Sequence, residues 1–183
     1  MSQAGAQASR DLPSVPAPTR PSHIDTTQRW DPGDIRAHYS SFAYGAVFAE
    51  VSVDENLGQI RIRRIQSVYD AGRIINPKLA HSQALGGMVM GIGTSLLEHT
   101  VIDHRDGRIV NANLADYLVP VNADVPRLDA TILAASDPNT DPLKVKGLGE
   151  VVICGVPAAI ANAVFNATGQ RATQLPITLD QLI

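Results

Sequence analysis

Residues 78 to 98 carry Leu85, Met88, Val89, Ile92, Leu96 and Leu97 at the spacing of one helix, and the same stretch holds Gly86, Gly87, Gly91 and Gly93. Each glycine weakens a helix by about 1 kcal/mol relative to alanine. So many glycines in one helix need a reason. Two readings stay open: approach of a cofactor or a second backbone, or tight packing on a sheet. The preceding Asp70-Ala71-Gly72-Arg73-Ile74-Ile75-Asn76-Pro77 has turn chemistry at both ends. Gly72 permits unusual backbone angles there, and Pro77 can open the helix.

A second glycine stretch, Lys146-Gly147-Leu148-Gly149-Glu150, runs directly into an Ala-rich apolar segment. Its glycines can bring backbone N–H groups close to a ligand, Lys146 adds positive charge, and Glu150 would stand at the mouth of such a pocket. The plainer alternative is that Glu150 is a first-turn acid complementing a helix dipole. Beyond it, Val152, Ile153, Val156, Ala159, Ile160, Ala163, Val164 and Ala167 form an apolar face ended by Gly169. Pro157 either kinks this helix near Ile153 or is the first-turn proline of a shorter one.

The remaining elements are mostly strands. A run from Ser41 with Phe42, Tyr44, Val47, Phe48, Val51 and Val53 among small residues, and a second from Gln59 to Asp70, flank an Asp54-to-Gly58 turn and predict an antiparallel hairpin, with a bulge near Arg63-Arg64 where the apolar alternation changes phase. A second hairpin is expected over 101 to 110, a strand over 128 to 134, and a last strand at Leu175-Pro176-Ile177 before a Thr178-to-Gln181 capping box. The fold class is therefore α+β: a hairpin-rich mixed or antiparallel sheet with the Gly-rich and Ala-rich helices packed on it. Residues 1 to 38, rich in Pro, Ser, Gln and Thr, read as a disordered or extended arm with Trp30 its one large apolar group. Residues 39 to 183 read as one domain.

Several function classes drop out. A net charge of -3 with interspersed charges gives no basic stripe for nucleic acid. No 18-residue apolar stretch is evident, so no membrane span is expected. His81, His99 and His104 lack a metal-ligand spacing and read as surface residues, and the single Cys154 reads as a small core residue.

Taken in order, these stretches resemble the C-terminal part of the large, molybdenum-binding subunit of the xanthine dehydrogenase and aldehyde oxidase family, the molybdenum hydroxylases. The matching residues are Phe48-Ala49-Glu50-Val51-x-Val53-Asp54, the Asp70-to-Pro77 loop, Gln83-x-x-Gly86-Gly87 with Gly91-Ile92-Gly93, Lys146 to Glu150, Ala161 to Gly169, and Leu175 to Thr178. Asn111 to Tyr117 with Val119-Pro120 point to the bacterial aldehyde oxidoreductase branch. The resemblance spans residues 42 to 183.

It implies a molybdenum–molybdopterin cofactor, in bacteria the cytosine dinucleotide form, whose metal takes no protein side chain as ligand. Arg73, Ile74, Ile75, Asn76, Pro77, Lys78, Leu79, Gln83, Lys146, Gly147, Leu148 and Gly149 match the segments that touch that cofactor. Glu150 matches the general base of a hydroxylation that takes its oxygen from water and converts an aldehyde to a carboxylate or hydroxylates an N-heterocycle. The apolar run Val151 to Ile153 would desolvate it. Met90 stands where purine-oxidising relatives place a glutamine, which is compatible with an aldehyde. Electrons would leave through 2Fe-2S clusters and FAD on partner subunits, and the part of the molybdenum domain that supplies the remaining cofactor contacts would come from elsewhere. A cytoplasmic location, or a periplasmic one by export with a signal-bearing partner, is expected. The alternative to catalysis is a binding or assembly module that keeps the fold without the chemistry.

Overall fold

The computed structural model describes residues 26–27 and 34–182. The chain divides into two units, Met1–Asp31 and Pro32–Ile183, and every described element lies in the second. Most of the expected arm, including Trp30, lies outside the described residues; Ile35–His38 forms a helical turn, α1.

Strands β1 (Tyr44–Val53) and β2 (Ile60–Asp70) form the expected antiparallel hairpin. Glu50 faces Arg64 but Val51 faces Ile62, so Arg63 is an extra residue on β2, the bulge that the phase shift predicts. On one side of it Ile60 and Ile62 face the core, and on the other Ile65, Ser67 and Tyr69 do.

The third strand, β5 (Arg127–Ile132), pairs with the opposite edge of β2 and runs parallel to it, giving a mixed sheet of order β1-β2-β5. A parallel partner needs a long crossover, and residues 71 to 126 supply it. That crossover contains α2 (Pro77–Leu96) and a two-residue hairpin, β3 (Ile102–Asp103) with β4 (Arg108–Ile109). Asn76 caps α2, its side-chain oxygen accepting the Leu79 N–H at 3.1 Å, and Pro77 occupies the first turn.

The Ala-rich run forms two helices, α3 (Val151–Cys154) and α4 (Val156–Thr168), joined at Gly155. Pro157 is thus a first-turn proline, and Gly169 closes α4 at φ 75°. The core lies between one face of the sheet and helices α2 to α4: Ile65, Tyr69, Ala84, Met88, Ile92, Val152, Val156, Ile160 and Val164, with Ile177. The packing explains three of the four helix glycines. A side chain on Gly87 would lie 2.4 Å from Val152, and one on Gly91 2.4 Å from Val156, whereas Gly86 faces open space. Gly93 makes room for Glu98, which accepts a hydrogen bond from the Tyr117 hydroxyl at 3.0 Å and so anchors the loop after β4.

Four local expectations fail, three because tertiary context overrides a local pattern and one on composition alone. Cys154 is exposed: Val152 and Val156 take the core side, and a residue midway between them on a helix points the other way. Leu175-Pro176-Ile177 is not a strand; the Ile177 N–H instead donates to the Ser95 carbonyl at 2.7 Å, docking the segment on the end of α2. Thr178 makes no backbone cap, and its hydroxyl accepts from the Gln181 amide beside a 3-10 turn, Leu179–Gln181. Finally, Val151–Thr168 is, by length and a mean hydropathy of 1.7, apolar enough to cross a membrane, contrary to expectation. In the fold this run is broken at Gly155 and lays Val156, Ile160 and Val164 into the core, the burial pattern of a helix packed on a sheet.

Candidate active site

The two glycine stretches singled out in the sequence meet in space. As the chain leaves β2 it pairs with the segment before Gly147: Arg73 N–H donates to the Lys144 carbonyl at 2.7 Å, Lys146 N–H to the Ala71 carbonyl at 2.9 Å, and Gly72 and Val145 form an antiparallel bridge. Gly72 has φ +66°, and a side chain there would meet the Lys144 carbonyl at 2.5 Å, so only glycine fits. Asp141 shapes the return by accepting the Val145 N–H at 3.0 Å.

Glu150 sits at the far end of this loop, held by its surroundings rather than by its own side chain. Upstream, the Gln83 amide donates to the Gly149 carbonyl at 2.9 Å, tying the loop to α2. Downstream, the Tyr69 hydroxyl donates to the Val152 carbonyl at 2.9 Å, fixing the start of α3 from below. Burial pushes the Tyr69 phenol above its ordinary pKa, which keeps it protonated and a donor. Gly45 leaves the room that the Tyr69 ring occupies, since a side chain there would lie 2.3 Å from it. Tyr69→Phe should therefore cost about 1–3 kcal/mol by taking the donor from that carbonyl; urea denaturation checks this, and a change below about 0.5 kcal/mol would show that the bond carries no weight.

The Glu150 carboxylate itself is exposed and makes no capping bond to α3. The expected shielding by Val151 to Ile153 is absent, because Val152 turns into the core beneath Gly87 and leaves the carboxylate facing outward. Any desolvation of Glu150 has to come from groups outside the described residues.

The other expected cofactor residues fall into distinct settings. Arg73, Ile74 and Pro77 line an apolar cleft of about 600 Å³ with His81, the last residue of β5, Ile132, and the segment after it to Ser136. Ile75, Lys78 and Leu79 are exposed, and the Asn76 oxygen is engaged in its cap. Leu148 packs against the core, which orients its neighbours outward. Gly147 and Gly149 are exposed, neither is in the left-handed region, and a side chain on either would meet nothing within 4 Å. Nothing within the described chain requires them to be glycine.

Lys146, expected to add positive charge at the loop, is ion-paired within the chain. Its ammonium lies 3.5 Å from both Asp70 and Asp137, with only 11% of its side chain exposed. Asp137, in the long turn before the loop, and Tyr69, in the core alternation of β2, were not singled out in the sequence as site residues. No local pattern marks either, because both act across more than eight residues of chain.

A family model described as the molybdopterin cofactor-binding domain matches residues 8–126. The chain belongs to this family of molybdopterin cofactor-binding domains. The matched range holds the Asp70-to-Pro77 loop and all of α2, and ends before Lys146. The molybdenum-binding subunit of an aldehyde oxidoreductase from Escherichia coli K12 is 47% identical over 151 residues, which cover 82% of this chain and 21% of that protein. A putative xanthine dehydrogenase molybdenum-binding subunit of the same organism is 42% identical over 140 residues, 76% of this chain and 18% of the relative. Among solved structures, the aldehyde oxidoreductase of Desulfovibrio gigas superimposes with a TM-score of 0.67 at 31% identity, covering 76% of this chain and 15% of that one. The chain thus spans about a fifth of the length of the curated relatives it matches.

Proposed function

We propose that this chain is a molybdenum-domain segment of a hydroxylase that oxidises aldehydes to carboxylates with oxygen from water, acting together with the rest of the molybdenum domain. The observation that carries it is the junction of Gln83 and Gly149: it holds Gly147, Gly149 and Glu150 together as a surface whose two glycines face open space. Backbone there can come within contact distance of a planar, hydrogen-bonding group such as a pterin, which a Cβ would hold off. The aldehyde assignment rests on the 47% identical relative, itself named an aldehyde oxidoreductase subunit, and on Met90, which lies two turns beyond Gln83 on the same exposed side of α2.

When bound, the cofactor, taken here as the cytosine dinucleotide form, supplies the two-electron oxidation. The chain supplies the proton chemistry and the positioning. Glu150 accepts the proton released from water at its carboxylate, Gln83 keeps the Gly149 peptide in place, and Tyr69 keeps α3 from carrying Glu150 away. FAD and 2Fe-2S clusters on partner subunits take the electrons, and the complex works in the cytoplasm or is exported with a signal-bearing partner.

Gly149→Val tests the cofactor surface. The chain has room for the side chain, so its stability should change by no more than about 0.5 kcal/mol, while molybdenum content of the assembled complex, measured by elemental analysis, should fall severalfold. Full loading in this variant, or a parental complex devoid of molybdenum, defeats the reading.

A further inference from the structure

The setting of Lys146 does not suit an anion contact. Its ammonium sits between two carboxylates, Asp70 and Asp137, at 3.5 Å each, and the side chains of Lys146 and Asp70 are only 11% and 9% exposed. The outer oxygens of both acids are also engaged: Asp70 accepts the Gly72 N–H at 2.7 Å, and Asp137 accepts the Asn139 N–H at 2.9 Å. The cluster is one cation against two anions. A phosphate or pterin anion drawn to Lys146 would bring a third negative charge to a poorly hydrated ammonium that already serves two.

We infer that Lys146 is a positioning residue, whose ammonium latches the end of β2 and the Asp137 turn to the loop and so sets where Gly147 to Glu150 stand. The inference rests on the proposed function for what is being positioned, not for the latch itself. Three segments converge on one amino group: Asp70 closes β2, Asp137 opens the turn that returns the chain, and Lys146 immediately precedes the glycines. The two backbone bonds that flank it, Arg73 N–H to Lys144 and Lys146 N–H to Ala71, are those the latch would protect. Leu148, packed on the core, then passes the position on to Gly149, where Gln83 meets it.

Hydrogen exchange of the full chain reads the latch without any cofactor. Lys146→Met should speed exchange of the Arg73 and Lys146-position amides about tenfold through local opening, and Asp137→Asn, which keeps the turn's shape, should speed the same two amides less. Lys146→Arg should restore slow exchange by renewing the pair. In the assembled complex, Lys146→Met and Asp137→Asn should lower kcat together, with KM and molybdenum content near parental. Parental exchange rates in Lys146→Met overturn the latch, and so does lost molybdenum in Lys146→Met with full loading in Asp137→Asn, which would make Lys146 a cofactor ligand. A parental complex without molybdenum would instead overturn the proposed function and leave the exchange result standing. If Lys146→Met does not fold, Asp137→Asn decides: unchanged exchange at both amides overturns the latch.

Discussion

Glu150→Gln is expected to lower turnover of the assembled enzyme by about 10²–10⁴-fold, the range over which a positioned general base contributes. Molybdenum content should not change. Glutamine has the shape of glutamate, and no bond within the described fold depends on the charge: the carboxylate is exposed and caps nothing. The bonds that place residue 150 come from Gln83 to the carbonyl before it and from Tyr69 to a carbonyl after it, and both survive the substitution. Stability should therefore stay within about 0.5 kcal/mol of parental. What disappears is a site for a proton. Steady-state kinetics with an aldehyde, alongside elemental analysis, separates the outcomes: undiminished kcat removes the role of base, and a parallel loss of molybdenum would make Glu150 a binding residue.

The second large effect is one of sign, among the glycines of α2. Gly86→Ala should stabilise the chain by up to about 1 kcal/mol, since helix propensity favours alanine and the new methyl meets nothing. Gly87→Val and Gly91→Val should each destabilise it by about 3 kcal/mol, the upper end of the overpacking range. At these positions even a first carbon lies 2.4 Å from Val152 or Val156, and both valines are completely covered. Neither can yield without moving α3 or the start of α4. Denaturant unfolding of the three variants checks the order; stabilisation at Gly87 or Gly91 would mean that the helices can separate freely.

Features with a local chemical cause were legible in the sequence. The hairpin follows from alternation and a turn, the bulge from the change of phase, the start of α2 from Asn76-Pro77, and its end-to-end length from apolar spacing. The partition of the helix glycines was not legible, because Gly86 and Gly87 look alike until Val152 is known to stand over one of them. The same holds for β5, whose residues suit either direction of pairing, and for Cys154, whose exposure depends on which side of a two-helix run meets the sheet. For the candidate site, the sequence pointed to Gln83 and Gly149 as separate motifs, and the fold joins them in one hydrogen bond. It could not foresee that Lys146 is paired internally or that Glu150 stands open, since Asp70 and Asp137 reach the loop through the turn of the chain rather than through any spacing.

The extra residue at Arg63 has a reach well beyond its own strand. It changes the parity of β2: even-numbered residues before it and odd-numbered ones after it share the helix-facing side. Remove that one residue while the hairpin keeps its turn, and Ile65, Ser67 and Tyr69 swap sides with Arg64, Gln66 and Val68. The phenol that now holds Val152 would then point away from the helices, and an arginine would be driven into the core. A single inserted residue, more than eighty positions before Glu150, thus acts as the counter that keeps the two ends of the site in step.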